Sequence, residues 1–351
     1  MMTTPKQRGF FMPAEWHPHS HCRMAWPTRM AVWYSEAGLK AACRAYATVA
    51  KAIARFEPVT MLVNADQQLD ATALCGPTVK ILLAPHDDSW HRDSGPTFVI
   101  SKQGELAGVN WQFNNYGNKP QLLEEEYARD KALAKYLLET LNIPCFDAPF
   151  VLEGGSFHVD GQGTALVTEQ CLLNPNRNPQ LSRAEIEAGL MAYLGVEKVI
   201  WLGEGLLNDD TDGHVDTIAC FVAPGKVLAA ITDDPNDVNY APLQDNLARL
   251  KAATDARGRA FEIHTVSIPP AHYLGEMRMA LSYVNFYIAN GGIVMCSFND
   301  PDYDQAAKNT ISALFPDREV VQIPALDIYT GGGGVHCITQ QQPLPIADED
   351  D

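Results

Sequence analysis

Residues 217–231 read TIACFVAPGKVLAAI. Two short apolar runs flank Pro224-Gly225. Proline cannot donate to a strand ladder and glycine accepts a left-handed turn, so the pair marks a turn and the runs become two strands. Farther along, NFYIANGGIVMCSF (285–298) repeats the figure, with the turn expected at Asn290-Gly291-Gly292. A helix over DQAAKNTISALF (304–315) and a strand over REVVQIP (318–324) follow it. The rhythm is strand pair, helix, strand, and it hints at internal structural repetition without repeated sequence.

Earlier segments fit the same rhythm. EAGLKAACRAYATVAKAIARF (36–56) puts Leu39, Cys43, Tyr46, Val49, Ala50 and Ile53 on one helical face. Further helices are expected over 125–141 and over 182–195, the second opened by a Ser182/Glu185 capping box and burying Ile186, Leu190 and Tyr193. PVTMLVN (58–64), VKILLAP (79–85) and KVIWL (198–202) read as strands. Alternating strands and helices predict an α/β protein. No linker rich in Ser, Pro or charge divides the chain, so a single domain is expected over 1–345. Residues 346–351 are expected to form a disordered acidic tail.

Composition narrows the function. The chain has 351 residues, 46% of them hydrophobic, enough to bury a large core. Its apolar runs are soon broken by charge, Gly or Pro, and its first residues lack the apolar core of a signal peptide, so a cytoplasmic location is expected. A formal net charge of −17 argues against a nucleic-acid partner and for a small cation. The eight cysteines are scattered without a CxxC pair, which favours reduced thiols over a disulfide or zinc framework.

Four polar segments stand beside the apolar strands. They are HDDSWHRDSGP (86–96), EGGSFHVDGQG (153–163), NDDTDGHVDT (208–217) and GGGGVHCITQQQP (331–343). Together they offer a thiol, a histidine and several acids. A papain-like hydrolase wants amide donors for an oxyanion, not a ring of carboxylates. Carboxylates around a thiol raise its pKa and weaken it as a nucleophile. The set makes sense when the substrate is itself a cation. Paired carboxylates grip a guanidinium by charge-assisted hydrogen bonds, and the bound cation draws the thiol toward thiolate.

On these segments, with MPAEWHPHSHCRMAWPTR (12–29) and FPDREVVQIPA (315–325), the sequence resembles the agmatine deiminases of the guanidine-modifying (pentein) superfamily, related to the bacterial-type peptidylarginine deiminases. The resemblance spans nearly the whole chain. It implies a five-bladed, pseudo-symmetric α/β propeller of ββαβ units around one deep site. It also implies hydrolysis of agmatine to N-carbamoylputrescine and ammonia, without metal or organic cofactor, in a homo-oligomer of two or more chains. Residue by residue, Cys337 matches the nucleophile and His214 the general acid/base. Asp93 and Asp216 match the carboxylates that hold the guanidinium, and Glu153 matches the acid that orients His214. Gly331, Gly332 and Gly333 are expected to let the backbone approach the substrate beside Cys337.

Candidates for the far ammonium group are Asp87, Asp88, Asp210 and Asp212, with Trp90 walling the alkyl chain. Arg92 reads as structural. His17, His19, His21 and Cys22 are expected as ordinary loop residues rather than metal ligands, because Pro18 breaks the run. His86 and Gly334 stand where the resembled family often has Asn. Two alternatives remain. A deiminase of arginine or peptidyl-arginine would want a positioned Arg for the substrate carboxylate. A non-catalytic binding protein would have lost the Cys, the His or the acids, and all are present.

Overall fold

The computed structural model of the chain describes residues 3–119 and 122–346. The hairpin at 217–231 forms as expected, with Ala219 opposite Ala229 and Ala223 opposite Lys226 across the Pro224-Gly225 turn. Strand Lys226–Ile231 then pairs in parallel with Glu262–Ser267. A parallel neighbour requires a crossover, which helix Tyr240–Ala252 supplies.

The same order recurs. Tyr287–Ala289 and Gly292–Ser297 pair antiparallel, and helix Pro301–Leu314 leads to parallel Glu319–Pro324. Phe157–Val159 and Thr164–Thr168 are followed by helix Arg183–Leu194 and Lys198–Leu202. Thr97–Ser101 and Leu106–Gln112 are followed by helix Ala128–Thr140 and Cys145–Val151, with Phe10–Phe11 added at the edge. The remaining sheet joins the two ends of the chain. Thr339–Pro343 lies antiparallel to His19–Ala25, and helix Glu36–Ile53 then leads to parallel Val59–Val63, which pairs with Val79–Leu83. Among the described residues there are thus five such sheets, plus a two-stranded ribbon at 273–278.

Local chemistry explains the elements. Ser35 caps helix Glu36–Ile53 by accepting from the Gly38 N–H at 3.0 Å. Cys43, Tyr46, Val49, Ala50 and Ile53 are buried on its inner face, while Leu39 at its start is only half-buried. Each large apolar side chain removed from water there contributes about 1.5–3 kcal/mol. Val59–Val63 is buried throughout, as a parallel strand covered on both faces must be. The Ser182/Glu185 capping box forms, and Gly195 closes its helix at φ 74°.

Some boundaries differ from the sequence reading. The helix expected at 304–315 begins at Pro301, whose missing N–H costs nothing in a first turn. The helix expected from 125 begins at Ala128, after a short 3-10 turn over Glu124–Glu126. Gly292 belongs to the strand and not to the turn. A Cβ there would lie 2.3 Å from the Phe56 ring, so close packing selects this glycine. The run HPHSHC is not a loop from His19 onward. It opens strand His19–Ala25, and buried His19 faces Glu57 at 3.2 Å. Helix Tyr240–Ala252 was hidden from the sequence reading by Pro242, which sits harmlessly in its first turn. All eight cysteines are free thiols. Of the predicted acidic tail, only Ile346 falls among the described residues.

The fold places chemistry at one recurring point. In each of the five sheets, the turn that leads into the outermost strand of the repeated order carries a polar residue of the site. These are Asp93 before Thr97, Glu153 before Phe157, His214 and Asp216 before Ala219, Asn285 before Tyr287, and Cys337 before Thr339.

Candidate active site

Cys337 is buried, with its Sγ 3.2 Å from Asn285 Nδ2 and 3.5 Å from Asp216 Oδ2. The amide donates to sulfur, and the thiol donates to the carboxylate. Burial raises the Cys337 pKa well above the ordinary thiol value, and the charges of Asp216 and Asp93 push it the same way. At rest Cys337 is therefore a thiol. A cation beside Asp216 and Asp93 would cancel the field that keeps it protonated.

His214 is buried between two acids. Its Nδ1 lies 3.9 Å from Asp93 Oδ1 and its Nε2 3.8 Å from Glu153 Oε2. Burial opposes the charged ring, but Asp93, Cys171 and Glu153 together outweigh it and hold the pKa well above the usual histidine value. His214 is thus an imidazolium with a proton to give. Glu153 stays ionised despite burial because Arg177 grips it at 2.6 Å and His214 adds to that.

Asp93 accepts from the Gly155 N–H at 2.8 Å and from the Tyr116 hydroxyl at 3.0 Å. Burial still raises its pKa to about 6, against the pull of His214. Asp216 is buried too, yet its pKa is lowered, because His336 at 2.8 Å overcomes the desolvation. Among the described residues, Asp216 Oδ1 and His214 Nε2 have no hydrogen-bond partner. Both are buried polar atoms that want one.

Glycines make this density possible. A Cβ on Gly155 would stand 2.6 Å from His214 Nδ1 and 2.9 Å from Asp216 Oδ2. A Cβ on Gly333 would meet the Trp90 ring at 2.7 Å and Cys337 Sγ at 3.1 Å. One on Gly331 would strike the Trp33 ring at 2.5 Å. Only Gly332 of the four needs a left-handed backbone, at φ 108°. The glycine loop thus lies against the reactive sulfur, and aromatic walls fill the space its missing side chains leave.

Outside Trp90 lies a cavity of about 320 Å³, lined by Asp88, Trp90, Tyr116, Asp210, Lys119 and Gly331 among others. Asp88 and Asp210 therefore face a space that a substrate tail could enter. Burial raises the Asp88 pKa to about 6 and raises that of Asp210 as well. The other two acids are directed elsewhere. Asp212 is paired with Lys119 at 2.8 Å and with Arg177 at 2.7 Å. Asp87 accepts from the Arg129 N–H at the start of a helix. Arg92 is structural as expected, donating its side chain to Gln340 and Gln341 and its backbone N–H to the Cys337 carbonyl.

The sequence reading missed Asn285, His336, Tyr116 and Arg177. Asn285 and Arg177 come from segments whose apolar or Asn-rich patterns carry no catalytic spacing. His336 had a signal, its position directly before the cysteine. Two buried groups have metal-like clustering, Glu15/His158/His336 and Glu153/Cys171/His214. In each the glutamate already faces an arginine, Arg92 at 3.6 Å and Arg177 at 2.6 Å, which opposes a second cation.

A buried thiol among carboxylates and an imidazolium suits attack on a cationic carbon, the chemistry of the guanidine-modifying enzymes. The chain belongs to the Porphyromonas-type peptidyl-arginine deiminase family, which it matches over residues 11–343. It is 48% identical over 366 residues to an agmatine deiminase of Stutzerimonas stutzeri, covering 99% of each chain. A Legionella pneumophila chain that carries that name provisionally is 53% identical over 344 residues, covering 98% of each. The solved agmatine deiminase of Enterococcus faecalis superposes with a TM-score of 0.94 at 38% identity, over 99% of each chain.

Proposed function

We propose that this chain hydrolyses agmatine to N-carbamoylputrescine and ammonia. The observation that carries the reading is the unpartnered, buried Oδ1 of Asp216, a carboxylate whose other oxygen accepts from the Cys337 thiol and whose charge is felt by Asp93. A guanidinium laid between Asp93 and Asp216 satisfies both carboxylates and sets its carbon near sulfur. Its charge lowers the thiol pKa, the proton passes to solvent by way of the Asp216 carboxylate to which the thiol already donates, and the Cys337 thiolate attacks the carbon. His214 protonates the departing nitrogen, which leaves as ammonia, and an S-alkylthiouronium remains on Cys337. Neutral His214 then takes a proton from water and the resulting hydroxide adds to the carbon; the C–S bond breaks to return the thiolate, and the added hydroxyl loses its proton to ammonia or solvent as the ureido carbonyl forms. Glu153, locked by Arg177, holds the imidazole in line. No step needs a metal or cofactor.

Several finer readings belong with this one. We read the five sheets as blades around one axis, because each lends the site a residue from the same point of its order. Residues 1–345 then form one catalytic domain. Asp88 and Asp210 in the outer cavity suit a primary ammonium, with Trp90 along the alkyl chain. Lys119 is paired with Asp212, while Arg29, which also lines this cavity, bonds only the neutral Glu126 carbonyl among the described residues and is the cation an arginine carboxylate would have to reach. A cytoplasmic homo-oligomer acting in polyamine formation is part of the same proposal. Among the described residues no helix is long and apolar enough to cross a membrane.

The test is ammonia release from purified protein given agmatine, arginine and a blocked arginyl peptide in parallel, with Cys337→Ser as control. Turnover of agmatine alone is expected. Turnover of arginine or the peptide instead would keep the mechanism and change the substrate. Turnover of none would leave a non-catalytic protein.

A further inference from the structure

The segment MPAEWHPHSHC supplies no group that touches the proposed substrate, yet its Glu15 ends directly behind the site. Asp216 Oδ2 accepts from His336 Nδ1 at 2.8 Å, and His336 Nε2 lies 2.9 Å from Glu15 Oε1. Glu15 in turn faces Arg92 Nη1 at 3.6 Å and His158 Nε2 at 3.6 Å. Every member of this chain is buried. Asn285 Oδ1 accepts from the His336 N–H at 3.0 Å, so the imidazole is fixed at its backbone as well. With Asp216 and Glu15 ionised and His336 and Arg92 charged, the row alternates in sign and sums to zero. It ends, on its substrate side, at the free Oδ1 of Asp216.

We propose that His336, itself held by Glu15, is a positioning residue for deimination that anchors one oxygen of Asp216 and so aims the other at the guanidinium. This rests on the agmatine reading above. Without the imidazole, Asp216 is free to turn both oxygens toward the thiol or away from the substrate. A buried carboxylate would also lose its charged partner. The titratable or charged groups around the pair include Asp216, Glu15, Arg92 and His158 on His336, and Cys337, His214, Asp93 and Asp209 on Asp216. Cys220 is also close to Glu15 and Asp216. Of these, only His336 touches both acids.

The experiment compares wild type, His336→Gln, Glu15→Gln and the double variant in agmatine turnover across pH. It also measures agmatine binding by calorimetry in a Cys337→Ser background, which needs no turnover. His336→Gln is expected to lose roughly 10- to 100-fold in kcat/KM, the range typical when the outer partner of a ligating side chain is removed. Agmatine binding should weaken in the same variant, and because Asp216 loses the partner that holds its pKa down, it should join Asp93 in setting the acid limb of kcat/KM and move that limb to higher pH. Glu15→Gln, far from substrate, should shift both readouts in the same direction, and the double variant should be no worse than His336→Gln alone. Unchanged binding and an unmoved acid limb in folded His336→Gln, with wild type active, would overturn the proposal alone. A wild type that turns over no guanidine would overturn the functional reading, and this proposal with it.

Discussion

Asn285 Nδ2 lies 3.2 Å from Cys337 Sγ, although the two residues are 52 positions apart in the chain. The same side chain bonds the Asp216 carbonyl and accepts from the His336 N–H, so it ties the Cys337 thiol to both neighbouring turns. Its neutral amide and the Gly334 backbone N–H are donors that face the sulfur among so many acids. Asn285→Asp keeps the shape but replaces the amide donor with an acceptor. We expect kcat to fall on the order of 100-fold, by analogy with the loss of one preorganised donor to a developing anion. Steady-state ammonia release would measure it, with thermal melting to confirm the fold. A variant with wild-type kcat would remove Asn285 from the chemistry.

The thiol state of Cys337 gives a second prediction. Burial and the charges of Asp216 and Asp93 keep it protonated in the free protein. A bound guanidinium or amidinium cation should reverse that balance. The ultraviolet difference spectrum of wild type against Cys337→Ser should therefore show thiolate absorbance only after an unreactive amidinium is added. Thiolate already present without ligand would contradict the substrate-assisted activation argued here.

The pH profile follows from Asp93 and His214. Asp93 titrates near pH 6 in the free protein, above the ordinary carboxylate range. Below that it carries a proton and cannot hold a cation, so kcat/KM should fall on the acid side with an apparent midpoint near 6. His214 keeps its proton well above the usual histidine range, so the alkaline fall should lie far from neutrality. The Tyr116 hydroxyl donates to Asp93 at 3.0 Å and favours its ionised form. Tyr116→Phe should accordingly move the acid limb upward, while the alkaline limb stays in place. An unmoved acid limb would mean that another group controls it.

Much of this was legible in the sequence because it rests on local pattern. The Pro224-Gly225 hairpin, the Ser182 capping box and the buried face of 36–53 each depend on neighbours a few residues apart. The four polar segments were legible as acids beside glycines at strand ends, while the choice of Cys337, His214, Glu153, Asp93 and Asp216 within them rested on the family resemblance. What stayed hidden is whatever depends on two distant segments meeting. Glu15 reaches His336 only because Thr339–Pro343 lies beside His19–Ala25 and joins the chain ends. Asp212 looked like a substrate acid until Lys119 and Arg177 claimed it from other sheets. The His19 imidazole looked like loop material until Glu57 and Tyr287 closed around it.

Gly333 offers the sharpest test of why the loop before Cys337 has no side chains. A Cβ there would stand 2.7 Å from Trp90 Cζ3 and 3.0 Å from Cys337 Cβ, closer than carbon atoms pack. Its backbone is not left-handed, so alanine brings a purely steric burden. Overpacking of this kind typically costs about 1–3 kcal/mol. Most of the strain should fall on the two groups that can shift, Trp90 and the cysteine. Gly333→Ala should thus remain folded and melt a few degrees lower. Its kcat should drop by more than its stability does, because a sulfur displaced by even a fraction of an ångström leaves the line of attack. Gly76→Ala is not a fair control, since that glycine has φ 71° and open space. Ala54→Gly, which relaxes an exterior helix end instead of crowding the site, provides the matched loss of stability. If Gly333→Ala and Ala54→Gly lose the same activity for the same drop in melting temperature, the glycine serves the fold and not the nucleophile.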